Sequence, residues 1–384
     1  MSTVERQLKD LAWEPSLHAR LSACIEEGYR AVQTHGSGAS YMVFDFDETC
    51  IMGDVEEHLT FYLIDQLAFK LSPENFASML QASRLDLDAP LGESQASLRD
   101  LVADLSSLYE DLYQTTKSFQ DAELVAQAKT SPSFQSFQAK AIYYYFYVHD
   151  RDNFQVGQIW PTYWFAGYSL KEFQVLVQEM LDQVQGQPRQ EVVFHTHPQL
   201  PGNTGPLSVS WLKGLGFPAE MLDLFEVLQA NQIQAYVVSA SPQILVQWVA
   251  EHSPLQIERE AIHGMPVAIQ DGLLCGKIQA DQMITKGSGK TRFIKTKLSP
   301  HHQNRPPLAI FGDSMGDYDM LTDFPRPSLA IIFDRDLQGP IQALKERAQN
   351  VTGQDPRTFV QGRNDSRMIF NSQTKSNTFY KQSE

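Results

Sequence analysis

Tyr41–Asp54 reads "YMVFDFDETCIMGD", and the fold turns on its first seven residues. Four apolar residues run into two aspartates, Asp45 and Asp47, with Phe46 alone between them. Carboxylates at the end of an apolar run resist burial and repel each other, so they call for a compensating charge. A short run that is apolar on both faces is the pattern of a central strand in a parallel sheet. The pattern returns at Ala235–Val238, Leu308–Phe311 and Leu329–Phe333, each run soon giving way to a polar or acidic residue. Ligands of open parallel sheets sit at the carboxyl ends of the strands. That rule gathers Asp45, Asp47, Ser239, Asp313 and Asp334 near one sheet edge.

The rest of the chain sets bounds on what this edge serves. It has 384 residues, 42% apolar and 20% charged, an ordinary globular balance with length for two or three domain-sized units or one large insertion. The formal charge of -15 argues against nucleic acid or an anionic membrane as the main partner. Three scattered cysteines, Cys24, Cys50 and Cys275, imply neither a disulfide framework nor a CxxC metal site, and fit a reducing compartment. The first residues, "MSTVERQLKDLAWEP", lack an apolar signal core, and no run approaches the ~20 apolar residues of a membrane helix. The expectation is a cytoplasmic protein with a small-molecule ligand. Its oligomeric state is not legible.

Residues 4–34 show helical spacing, and "THGSGAS" (34–40) reads as a loop. From 55 to 230 the pattern is helical. Leu98, Leu101, Val102, Leu105 and Leu112 follow one helix face, and Ser169 with Glu172 makes a capping box. Strands resume at "IQAYVVSAS" (233–241). A hairpin follows in "PVAIQDGLLCGKI", turning at Asp271-Gly272. The polar last dozen residues read as a frayed or surface-packed tail. The expected organisation is an α/β core in two parts, 1–52 and 231–384, interrupted by a large all-helical insertion at 53–230.

Four converging carboxylates, Asp45, Asp47, Asp313 and Asp317, need a cation, and an oxygen-rich site suits Mg²⁺. One of them could act as a nucleophile on phosphorus. Ser239 ends a strand just before "SPQILVQWVA", where a hydroxyl and a helix N-terminus would meet an anion. Lys290 in "KGSGKT" adds a positive charge, with Lys286 as its rival. A nucleotide P-loop is disfavoured, since GxxxxGK[ST] needs glycine where Ile284 stands. "HTH" at 195–197 lacks further ligands for zinc and reads as a surface loop.

The pieces "VFDFDET", "YVVSAS", "GSGK" and "FGDSMGD" occur in the order and setting of the haloacid dehalogenase superfamily, which the chain resembles. The resemblance implies a Rossmann-like core, with Asp45 as nucleophile and Asp47 as general acid/base. It implies that Thr49 supports the first loop, and that Ser239 and Lys290 serve phosphate binding. It also implies Mg²⁺ held by Asp45, Asp313, Asp317 and the backbone carbonyl of Asp47. A second aspartate two after the first points to the phosphatase branch. The insertion sits where that family places a C1 cap. "VVSASP" and "GDS" resemble the phosphoserine phosphatase branch, and "FDFDETCIMGDVEE" with "FAGYSLKEF" resembles phosphocholine phosphatase-like proteins.

Two cap-side features bear on substrate. Residues 142–168 hold eleven aromatics, Trp160 and Trp164 among them, which form either a packed core or an aromatic box for a quaternary ammonium. Asp54 lies nine after Asp45, where the phosphoserine branch places an acid that meets a substrate amine; it also suits a helix N-cap. The expected activity is Mg²⁺-dependent hydrolysis of a small phosphate ester through an aspartyl-phosphate, phosphocholine or a related amine-bearing phosphate first. The alternatives are a phosphotransferase, and a binding or effector protein that uses the enlarged cap as a partner surface.

Overall fold

The structure is a computed structural model. It describes residues 4–82, 85–92, 95–151, 160–279, 281–349 and 357–377, apart from the side chains of residues 150, 151, 160–162 and 349. The first helix, α1 (Pro15–His35), leads to β1 (Tyr41–Phe44). Next come α2 (Val55–Gln66), α3 (Pro73–Gln81), α4 (Leu98–Thr115), α5 (Ala122–Ala128), α6 (Pro132–Arg151), a 3-10 turn at Trp160–Phe165 and α7 (Leu170–Val184). A pair of strands, β2 (Gln190–His195) and β3 (Ser208–Lys213), precedes α8 (Ala219–Ala230). The chain then runs through β4 (Gln234–Pro242), α9 (Gln243–His252), β5 (Ile262–Met265), β6 (Val267–Gln270) and β7 (Leu273–Ile278). It continues with α10 (Ser288–Phe293), β8 (Ala309–Gly312), α11 (Tyr318–Thr322), β9 (Leu329–Phe333), α12 (Pro340–Gln349) and β10 (Thr358–Gln361).

Six of these strands form one parallel sheet in the order β10-β9-β8-β1-β4-β5. The run of four apolar residues is its central strand, paired in parallel with β4 on one side and β8 on the other. Period-two alternation sends Met42 and Phe44 into one hydrophobic cluster, Tyr41 and Val43 into another. The first cluster is continuous with the insertion, taking in Phe76, Tyr109, Phe137 and Trp164. β6 and β7 pair as the expected hairpin, and the capping box at Ser169 and Glu172 forms. Among the described residues, no helix is long and apolar enough to cross a membrane.

Two local expectations need correction. The helical spacing over 4–34 yields a helix only from Pro15, because a proline inside a helix lacks the N–H donor and crowds the preceding turn. Glu14 caps that helix by accepting from Leu17 N–H at 2.8 Å. The insertion is not all-helical: β2 and β3 pair antiparallel from Gln190↔Lys213 to His195↔Ser208. Six-residue strands flanked by polar loops give too short a period-two signal to stand out beside long helices.

Candidate active site

Asp45 is the first residue past β1, and its N–H donates to the carbonyl of Phe311 at 3.0 Å. Its Oδ1 accepts from Lys290 Nζ at 2.5 Å, and the same ammonium donates to Asp317 Oδ1 at 2.7 Å. Buried Asp45, Asp313 and Asp317 each offer an oxygen, all within 4.8 Å of one another. Asp317 reaches this point because residue 312 is glycine: a Cβ there would stand 2.6 Å from the Cβ of Asp317. Asp313 is held on both oxygens, by Thr49 Oγ1 at 3.2 Å and by Arg335 at 2.8 Å. The loop of Lys290 is tied to that of Asp317 through Gly287 N–H and the carbonyl of Gly316 at 2.9 Å.

Three buried carboxylates thus face Lys290 and Arg335. Burial, then Asp317, raises the Asp45 carboxyl well above the usual range, and Lys290 offsets only part of this. Asp313 is pushed up to about 6, chiefly by burial, against the pull of Arg335. For Lys290 burial works against the charge, but Asp317 and Asp45 outweigh it and keep the ammonium protonated. An all-oxygen donor set, desolvated and in carboxylate excess, fits a hard divalent cation.

Asp47 stands on the same loop. Its Oδ1 accepts from Val55 N–H at 2.8 Å and its Oδ2 from Ser241 Oγ at 2.7 Å. Burial and then Asp54 raise its carboxyl well above the ordinary range. Ser239 lies buried in β4, three residues before its end, its Oγ accepting from Ser241 N–H at 3.0 Å. Asp54 caps α2, one oxygen accepting from both Glu56 and Glu57 N–H. His58 braces that turn: its Nε2 accepts from Gly214 N–H at 2.8 Å while its Nδ1 stands 2.6 Å from the carbonyl of Asp54. Burial pushes His58 down to about 3, so the ring is neutral.

Glu56 and Glu57, in the first turn of α2, are both pushed up to about 8, by burial and then by Asp54. A carboxyl raised by folding contributes stability that is complete below its unfolded pKa and is lost as pH rises through the folded value. The thermal midpoint should therefore decline as pH rises from about 4.5 toward about 8 and level off above that. Glu56→Gln/Glu57→Gln should flatten that decline in a calorimetric pH series; the same slope in the double variant would refute the assignment.

The structure brings Asp45, Asp47, Thr49, Ser239, Lys290, Asp313 and Asp317 together at one sheet edge. Thr49 is engaged with Asp313. Lys290, not Lys286, is the lysine that bonds Asp45. Trp164 does not join the site: its ring is fully buried against Phe69, Phe76 and Tyr144 in the core of the insertion. Trp160's side chain lies outside the described residues. Asp334 is engaged with Lys345 at 2.6 Å and with Ser376 N–H. Sequence reasoning missed Ser241 and Arg335. Ser241 had a signal, lying two past Ser239 as the strand ends. Arg335 had none beyond following Asp334.

A family model for haloacid dehalogenase-like hydrolases matches residues 158–322. None of the curated proteins matches the chain. Among solved structures, a conserved functionally unknown protein from Anaerococcus prevotii DSM 20548 is 25% identical, with a TM-score of 0.87 over 99% of this chain and 100% of its own. Cytosolic 5'-nucleotidase IIIB bound to cytidine is 14% identical (TM-score 0.36), with 94% of this chain and 91% of that one covered. A phosphoserine phosphohydrolase-like protein from Francisella tularensis subsp. tularensis SCHU S4 is 12% identical (TM-score 0.31), with 76% and 87% covered. The parallel sheet with its acidic edge defines a Rossmann-like α/β core. Over residues 158–322, and in the order of its motifs, the chain is similar to haloacid dehalogenase-like hydrolases.

Proposed function

We propose that this protein is a Mg²⁺-dependent phosphatase of small phosphate monoesters. The observation that carries the reading is the Asp45–Lys290–Asp317 contact, with Asp47 held on the same loop by Ser241 and Val55. Asp45 attacks phosphorus, and the bond from phosphorus to the ester oxygen breaks. Asp47 gives its proton to the leaving oxygen, a task suited to a carboxyl whose pKa is raised. Asp47 then takes a proton from the water that attacks the acyl-phosphate, which releases phosphate and restores Asp45. Asp45, Asp313 and Asp317 would hold Mg²⁺, whose charge offsets the repulsion between carboxylate and phosphate. Lys290 adds a fixed positive charge beside Asp45, and Ser239 with the start of α9 offers donors to the phosphoryl oxygens. A panel of phosphate esters assayed with Mg²⁺ tests the reading, and inactivity on every member would overturn it.

The favoured substrates carry an amine: phosphoethanolamine and phosphoserine beside phosphocholine. Asp54 caps α2 next to Asp47 and supplies the negative charge an ammonium would meet. With Trp164 enclosed, charge carries this reading more than an aromatic box does. Asparagine caps helices about as well as aspartate, so Asp54→Asn isolates the charge from the fold. It should lower kcat/KM about tenfold or more on amine-bearing esters, the worth of one hydrogen bond to a charged group, and spare p-nitrophenyl phosphate. Equal losses on the neutral ester, or a preference for sugar phosphates, would remove the cationic substrate.

A further inference from the structure

Glu48 follows Asp47 directly, and its backbone is left-handed at φ 58°, a conformation that side-chain-bearing residues rarely adopt. Something must hold it there, and its buried carboxylate shows what. Arg189, just ahead of β2, grips both oxygens, Nη2 to Oε1 at 2.5 Å and Nη1 to Oε2 at 3.3 Å. Arg363 adds a contact to Oε2 at 2.7 Å and donates to the Glu48 carbonyl at 3.1 Å. Gly53 N–H donates to Oε2 at 3.2 Å, closing the loop on itself. Asp365 balances the far side, 2.7 Å from Arg363 Nε.

Arg189 differs from the others in origin, because it comes from the insertion. The insertion's two crossings meet at the same place. Met52 and Gly216 exchange backbone bonds at 2.9 Å each. Gly53, at φ 105°, lies so close to the second crossing that a Cβ would stand 2.5 Å from the carbonyl of Gly214. A Cβ at Gly214 would in turn stand 2.9 Å from the Cα of Arg189. Building on the phosphatase reading, we propose that Arg189 is a positioning residue for Asp47. It acts through Glu48, so that the insertion which meets the substrate also aims the acid.

Asp47 matters most for esters whose leaving oxygen needs a proton, and least for p-nitrophenyl phosphate, whose leaving group departs as a stable anion. Arg189→Gln should thus lower kcat/KM on phosphoethanolamine, which reports leaving-group departure and not the later hydrolysis both esters share, about tenfold or more, a part of what general acid catalysis supplies. The loss on p-nitrophenyl phosphate should be several times smaller. Arg189→Lys, which keeps the charge without the two-pronged grip, should fall between, and it keeps the comparison decisive if the glutamine variant does not fold. Equal losses on both esters, or none, would overturn the positioning role while leaving the phosphatase reading intact. Wild-type protein inactive on every ester of the panel would overturn the phosphatase reading and this inference with it.

Discussion

Asp45→Asn should give a folded protein that has lost phosphatase turnover by at least about a thousandfold, the scale expected when a nucleophile is removed. The amide keeps the shape of the side chain but has no charge with which to attack phosphorus. The same substitution should not destabilise the metal-free protein. Burial and the neighbouring Asp317 and Asp313 all raise the Asp45 carboxyl, which means that its ionised form is disfavoured in the fold. A raised carboxyl costs stability above its unfolded pKa, so replacing it with a neutral amide relieves that cost at pH 7. Lys290 loses one charged partner, though the amide oxygen still accepts, and it keeps Asp317 at 2.7 Å. The expected pair of results is therefore lost turnover with a thermal midpoint in chelator equal to wild type or higher. Near wild-type turnover would sink the nucleophile assignment. Lost turnover with a large fall in midpoint would mean that Asp45 serves the fold.

The two results belong together physically. Sites that do chemistry hold groups in arrangements the fold alone would not choose, and rigid neighbours keep them there. Here β1, β4 and β8 are that support: apolar side chains pack both faces of the sheet, and the acids stand only where the strands end. This is why the strands and the acids were readable in the sequence. A central parallel strand demands an unbroken apolar run, so an aspartate at its end stands out.

What the sequence hid was set by contacts between distant segments. Nothing near Arg189 marks it as the partner of Glu48, 141 residues away, and nothing near Arg335 marks it as the partner of Asp313. A lone arginine in a polar loop reads as a solvated charge until the fold buries it. Trp164 shows the opposite error. Aromatic enrichment signals both core and ligand box, and only packing against Phe69 and Phe76 assigns this ring to the core. The hairpin of β2 and β3 was hidden because two short strands need only each other to pair, and they leave little periodic trace.

Removing divalent ions should abolish turnover, and adding Mg²⁺ should restore it. Asp45, Asp313 and Asp317 place three buried carboxylates within reach of one point, and the cations beside them, Lys290 and Arg335, do not cancel that charge. A ligand that binds the folded state alone stabilises it by RT ln(1 + [L]/Kd), about 2.7 kcal/mol at a hundred times Kd. Mg²⁺ should therefore raise the thermal midpoint of the wild type, a result that does not depend on any substrate. Asp313→Asn should blunt both the rise in midpoint and the return of activity, because it removes a donor without touching the nucleophile. Ca²⁺ should raise the midpoint yet support turnover poorly. It is larger and tolerates looser coordination, so it can bind the cluster without holding Asp45 and the phosphoryl group in line. Stabilisation by both ions but catalysis with one would separate binding from positioning. Full activity in chelator, or a midpoint indifferent to Mg²⁺ in the wild type, would show that the three aspartates serve some purpose other than holding a metal.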